Sequence, residues 1–166
     1  MPGHDFVDAS SRLQRRCDGG NAWRYHERVT PRGWTRFFAR FMLGLIFFMA
    51  GWYKCFTMTP LGHAETYFTG PYADSWIPHW LLLATGVTVP VVELLAGALL
   101  LAGWRTRDAL IALGFLLLLV TYGHLLKEAL FSTTGHIFPR FILLALVFLL
   151  PAEEDRLSAD AWLARR

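Results

Sequence analysis

An all-α integral membrane protein is the fold class this sequence predicts: a four-transmembrane-helix bundle with both termini cytoplasmic. Three observations carry that expectation. Only 17% of the 166 residues are charged and 54% are hydrophobic, whereas soluble domains carry about 25% charged residues. The apolar residues gather into four runs instead of spreading along the chain. The basic residues gather too. Eight of the 16 Lys and Arg lie in the first 40 residues, as Arg12, Arg15, Arg16, Arg24, Arg28, Arg32, Arg36 and Arg40.

Residues 1–35 read as a basic cytoplasmic arm. A short helix could open at Ser10 or Ser11, where a hydroxyl can cap it. Asp5, Asp8, Asp18 and Glu27 argue against a transit peptide. The arginines either set topology from a solvated arm or also touch anionic lipid. The four-helix domain is expected over residues 36–151. Its first span runs from Phe37 to about Thr57, around "FMLGLIFFMAGWYKCF". No small-residue cleavage site follows that run and its basic flank is too long for a secretory signal.

An outer loop follows, from Met58 to His79. Trp76 and Trp80 suit the membrane interface, and "HAETYF" could lie on the surface as a short helix. The second span runs from Trp80 to Ala102. It comfortably exceeds the ~20 helical residues that a bilayer core requires. The third runs from Ala109 to Leu126. "STTG" then supplies turn chemistry, with Ser132 or Thr133 as a helix cap, and Pro139 falls in the first helical turn, where proline is tolerated. The fourth span, Ile137 to Leu150, is short for a bilayer and needs flanking residues or local thinning. Residues 152–166 read as a cytoplasmic tail.

Orientation comes from charge. The first 40 residues carry eight basic residues, the loop "WRTRD" adds Arg105 and Arg107, and the tail adds Arg156, Arg165 and Arg166. Lys54, Lys127 and Arg140 are the only basic residues left for the opposite side. The positive-inside rule therefore places both ends in the cytoplasm. The lipid bilayer is the first partner, and nucleic acid is not expected, because topology accounts for the arginines.

Glu93 stands inside the second span, one turn after Pro90. Charged groups at bilayer depth face the bundle interior, pair with a partner and mark function. The proline also frees the carbonyl of Gly86 from its helical donor. Ala96 and Gly97 let a neighbouring helix approach closely. Lys54, His124 and Arg140 lie toward the outer ends of the other spans. A buried polar network of Glu93 with Arg140, Lys54 and His124 is one reading. A protonated Glu93 bonded to backbone, with Lys54 and Arg140 reaching for the interface, is the other.

His63, His79, His124 and His136 all fall on the outer side, and imidazole is a common ligand of haem, copper or zinc. Their spacing contains no compact ligand motif, so they are weak metal candidates and no metal is expected. Cys17 and Cys55 fall on opposite sides of the membrane and cannot pair within one chain. No nucleophile motif, P-loop or dinucleotide fingerprint occurs.

Three stretches carry a family likeness. "RFMLGLIFFMAGWYKCF" has Gly44, Gly51 and Lys54. "VPVVELLAGALLLAGWRTRDAL" has Glu93, Gly97, Gly103 and Arg107. The late outer turn has His124, Phe131, Gly135 and Pro139. On these residues the chain resembles the DoxX family of small four-helix membrane proteins, with its DoxD-like relatives, over about residues 36–151. The resemblance implies a small subunit of the bacterial inner membrane, associated with redox systems. The DoxD relatives belong to a thiosulfate:quinone oxidoreductase. The long basic arm, Arg140 in "HIFPRF" and the Trp-rich outer loop depart from the family pattern. They point to an accessory branch.

Three functions follow as expectations. The first is a noncatalytic accessory subunit of a bacterial membrane redox or bioenergetic complex, packed against other membrane subunits. The second is a quinone- or haem-binding oxidoreductase subunit with Glu93, His124 and Arg140 at its site, quinone being the cofactor to look for. The third is a small-molecule carrier, against which the lack of a repeat and of a polar stripe argues.

Overall fold

The computed structural model describes residues 30–128 and 135–163, and every described element is helical. Helix α1 spans Pro31–Trp52 and continues as a π-helical turn, Tyr53–Thr57. Helix α2 is the short Pro60–Ala64, followed by a second π-helical turn, Glu65–Thr69. Helix α3 spans His79–Ala102, α4 spans Thr106–Lys127 and α5 spans Ile137–Leu149. A 3₁₀ turn, Ala152–Glu154, leads to the terminal α6, Ala159–Leu163. The expected caps at Ser10, Ser11, Ser132 and Thr133, the residues Cys17 and Phe131, and most of the basic arm lie outside the described residues.

Three helices are long and apolar enough to cross a bilayer: α1 with its π turn (27 residues), α3 (24 residues) and α4 (22 residues). The 13 residues of α5 rise only about 20 Å at 1.5 Å each, short of a core about 30 Å thick. The outward faces are strongly apolar. Phe115, Leu118 and Phe148 are half or more exposed, as are Phe38, Met42 and Phe56 on α1. Exposed tryptophans mark both ends, with Trp52, Trp76 and Trp80 at one and Trp34, Trp104 and Trp162 at the other. Such belts suit the two interfaces of a membrane.

Helix α1 begins at Pro31, six residues earlier than its apolar run suggests. Thr30 is extended, its hydroxyl accepts from Gly33 N at 3.0 Å, and proline occupies the first helical position. Both features are strong helix-start chemistry. The early start carries Arg36 and Arg40 into the helix. Arg40 is only 1% exposed.

The two arginines lie one turn apart on α1 and each closes the C-terminus of another helix. Arg36 Nη1 donates to Val147 O at 2.8 Å and also to Leu150 O, at the end of α5. Arg40 Nη1 donates to Leu100 O and, at 3.3 Å, to Leu101 O, at the end of α3. The last carbonyls of a helix lack the usual donor a turn ahead, and a cation there is favoured by the helix dipole. Arg40 Nε also pairs with Asp155 Oδ2 at 2.8 Å. The segment after α5 thus folds back beneath the bundle.

Further bonds fix that segment. Thr30 Oγ1 donates to Glu154 Oε2 at 2.6 Å. The Asp160 carboxylate accepts from Arg105 N at 2.8 Å and Thr106 N at 3.0 Å, capping α4 from 54 residues away. Helix α3 ends on Gly103, at φ 67°, where Gly103 N bonds Leu100 O and Trp104 N bonds Leu99 O. That pairing is the left-handed glycine cap. A side chain on Gly103 would also collide with Ser158 Cβ at 2.7 Å.

Helix α3 is the axis of the fold. Its face of Gly86, Val89, Pro90, Glu93, Ala96, Gly97 and Leu100 is buried, mostly against α1, while α5 packs on α1 and α4. The seam between α1 and α3 is built on backbone proximity. A Cβ on Gly44 would lie 3.0 Å from Leu101 N, one on Gly51 2.7 Å from Leu94 Cα, and one on Gly97 2.5 Å from Phe48 N. Small residues allow this approach where lipid removes the usual hydrophobic drive between helices.

Candidate functional site

Glu93 lies ten residues before Gly103, about 15 Å into α3 at 1.5 Å per residue. It is 6% exposed and turned toward α1. Lys54 stands in the π-helical turn that ends α1, where Met58 N bonds Tyr53 O at 3.0 Å. Its position follows from the same face of α1 that carries Arg36, Arg40, Gly44, Phe47 and Gly51. Lys54 Nζ donates to Glu93 Oε2 at 2.6 Å. The short distance marks a charge-assisted bond, and it lies beside the Gly51–Leu94 contact, where the two backbones are closest.

The other predicted partners lie elsewhere. Arg140 Nη1 donates to His136 O at 3.0 Å within its own first turn. Its guanidinium lies 5.6 Å from the centre of the Phe47 ring, an ordinary cation–π distance. His124 Nδ1 lies 2.8 Å from Val120 O, one turn back on α4. Helices α1 and α3 thus join Lys54 and Glu93, while Arg140 and His124 bond within their own helices.

From sequence His63 is a residue of the outer loop, at the start of "HAETYF", and a weak metal candidate. It is 4% exposed, with Nδ1 2.8 Å from Gly86 O. That carbonyl is the one Pro90 leaves without a helical donor, and the imidazole supplies the hydrogen. Thr59 makes this possible. It adopts φ 67°, a strained conformation for a β-branched residue, and its hydroxyl accepts from Gly62 N at 3.2 Å as the cap of α2. The turn sends α2 back onto α3, where Ala64 seats against Gly86 so closely that a Cβ on that glycine would lie 2.6 Å away. His79 opens α3 and His136 precedes α5. Among the described residues no three His, Cys, Asp or Glu side chains converge to hold a metal. Cys55 carries a free thiol.

Burial pushes the His63 pKa below its ordinary value of 6.5. The unfolded chain therefore takes the proton first as pH falls. The stability that neutral His63 provides is complete above 6.5 and is lost as pH drops below it, toward the folded pKa. The thermal midpoint of the detergent-solubilised protein is expected to fall between pH 7 and pH 5, and H63Q to flatten that slope. An equal slope in both proteins would remove His63 from the acid response.

An apolar groove of ≈ 400 Å³ runs between α3 and α4, lined by residues including Thr88, Val92, Ala112 and Phe115. Neither Glu93, Lys54, His124 nor Arg140 lines it.

The residues that sequence reasoning missed are Arg36, Arg40 and Asp155. Their signal was present. On α1 the polar and glycine positions share one helical face, and Trp34, Phe38, Phe41, Leu45 and Trp52 occupy the other. In a membrane the polar face is the inward one.

The family model of the methylamine utilisation protein MauE matches residues 32–137. This is a membrane protein family of the same general kind as DoxX, but it is not DoxX, and it replaces that resemblance. The glycines and the Glu93 segment that suggested DoxX all lie within the matched region. No curated protein and no solved structure matches the chain.

Proposed function

The chain belongs to the MauE family, and from that premise we propose that it is a noncatalytic accessory subunit of a bacterial membrane redox system of the methylamine-utilisation kind. It sits in the inner membrane with both termini cytoplasmic, and α5 completes a four-span bundle. The observation that carries this reading is how its ionisable groups at membrane depth are used. Lys54 is bonded to Glu93, and Arg40 is bonded to Asp155 and to the end of α3. These groups hold helices together, while the faces left for lipid or partner subunits are large and apolar.

Purification from native membranes in mild detergent tests the proposal, with mass spectrometry and a visible spectrum of the sample. The expected result is a redox protein in fixed stoichiometry with a chain that is itself colourless. A clean homo-oligomer would undercut the proposal, and haem or tightly held quinone on the isolated chain would support the oxidoreductase reading of thiosulfate:quinone type instead. Transport by the isolated chain in vesicles would favour a carrier.

The role of the polar pair is separable from its existence. An unpaired lysine at the bilayer centre costs on the order of 3 kcal/mol, reduced where its stem reaches the interface. E93L is therefore expected to lower the thermal midpoint strongly, and E93Q mildly, since its amide oxygen still accepts from Lys54. Replacing both partners with apolar residues is often neutral, so K54M/E93L is expected to recover stability. If the double variant is stable and still captures its partner, the pair is an anchor. If it is stable but inactive, Glu93 has a functional role beyond packing.

A further inference from the structure

Beneath α1, α4 and the returning C-terminal segment lies a cavity of ≈ 630 Å³, remote from the Lys54–Glu93 pair. Among its lining residues Arg36 is 7% exposed, Thr106 6% and Asp155 3%, each at least nine-tenths buried. Each leaves one polar atom without a hydrogen-bond partner among the described residues: Arg36 Nε, Thr106 Oγ1 and Asp155 Oδ1. Arg36 Nε stands 4.0 Å from Asp155 Oδ2, too far to bond. Buried polar atoms are rarely left unmatched, and here the three residues that carry them line one space. Other polar groups there are already engaged. Asp160 accepts from the first amides of α4, and Ser158 Oγ donates to Asp155 O at 2.8 Å.

The unmatched atoms specify a ligand. Arg36 and Arg40 share a single buried carboxylate, Asp155, and around the cavity Arg107 and Arg156 are offset by Glu153 and Asp160, so the cluster carries one excess positive charge and favours an anion. Arg36 Nε–H and the Thr106 hydroxyl can both donate to an oxyanion. Asp155 Oδ1 requires a hydrogen donor on the same ligand. A phosphate ester with a neighbouring ammonium or hydroxyl group meets all three needs. The space is many times the ≈ 30 Å³ that a water molecule occupies. Trp104 and Trp162, both about half exposed, stand at this end of the bundle, at the depth where lipid headgroups lie.

We propose that this cavity binds the headgroup of a glycerophospholipid whose phosphate is followed by an N–H or O–H donor, as in phosphatidylethanolamine or phosphatidylglycerol. The phosphate meets Arg36 Nε and the Thr106 hydroxyl, with Arg107 at the rim. The ethanolamine ammonium or glycerol hydroxyl meets Asp155 Oδ1. Phosphatidylcholine has the phosphate but no such donor, and the site discriminates against it. The bound lipid joins α1, α4 and the C-terminal segment at one point.

Native mass spectrometry of the delipidated full chain, titrated with each lipid in detergent, tests this. One molecule of phosphatidylethanolamine or phosphatidylglycerol is expected to bind about tenfold more tightly than phosphatidylcholine, the worth of one hydrogen bond to a charged group. T106V removes the free hydroxyl and is expected to weaken retention of both lipids several-fold, while T106S restores it. Because that hydroxyl has no partner among the described residues, T106V is expected to leave the lipid-free thermal midpoint unchanged or raised. A drop in that midpoint would show the hydroxyl serving the fold and would overturn the assignment. So would equal retention of all three lipids, wild-type retention by T106V, or free glycerol 3-phosphate binding as tightly as lipid.

Discussion

Replacing Asp155 with alanine is expected to damage the protein more than any other single change outside the glycine seam. Asp155 Oδ2 accepts from Arg40 Nε, and both side chains are almost completely buried. Removing one partner of a buried pair costs about 3–5 kcal/mol, because the other charge is left uncompensated. Here two guanidiniums depend on one carboxylate, since Arg36 has it at 4.0 Å. D155A is expected to accumulate poorly, to unfold at a markedly lower temperature in detergent and to expose the C-terminal segment to protease. D155N, which keeps an acceptor for Arg40 Nε, is expected to be intermediate. Here R40M/D155L is expected to fall short of wild type. The carbonyl of Leu101 would lose its donor and that of Leu100 would keep only Gly103 N, at 3.2 Å, and an unmet buried acceptor costs about 1–3 kcal/mol. Wild-type stability in D155A would mean that the segment after α5 does not dock on Arg40.

Why this cluster escaped sequence reading, while the membrane class did not, follows from what each rests on. Apolar runs, a proline and tryptophans are local signals, and α3 and α4 lie close to where those signals place them. Charge asymmetry counts arginines without regard to direction. Arg36 and Arg40 therefore entered the count as part of a solvated arm, although Thr30 and Pro31 start the helix ahead of them. Asp155 lies 115 residues from Arg40, and no periodicity links the two. Asp160 and Arg105 are coupled in the same way. Lys54 and Glu93 could be paired on paper because each is an isolated charge in an apolar run. Arg140 and His124 look equivalent in sequence, but each bonds a carbonyl one turn back. The DoxX likeness rested on three stretches, with Gly44, Gly51 and Gly97 beside Lys54 and Glu93 in the first two. Any close seam between membrane helices selects glycine, so those glycines report packing more than lineage.

That seam yields the second large effect. Gly51 and Gly97 sit where α1 and α3 approach backbone to backbone, and an added Cβ would meet Leu94 Cα at 2.7 Å or Phe48 N at 2.5 Å. Main-chain atoms cannot yield as a flexible side-chain tip can, so the helices must separate. Overpacking typically costs about 1–3 kcal/mol, and here separation also stretches the Lys54–Glu93 bond one turn beyond Gly51. G51A and G97A are each expected to lower the thermal midpoint distinctly, and G51V or G97V to prevent accumulation of folded protein. Gly114 provides the contrast within the same bundle. A Cβ there would meet only Leu144 Cδ1, at 4.0 Å, and alanine is favoured over glycine inside a helix by roughly 0.5–1 kcal/mol. G114A is therefore expected to be neutral or stabilising. Because all three substitutions add the same methyl group to a glycine inside a helix, their differences isolate the proximity of the second backbone. Equal midpoints for G51A, G97A and G114A would mean that α1 and α3 do not touch along this face, and the placement of Lys54 against Glu93 would fall with it.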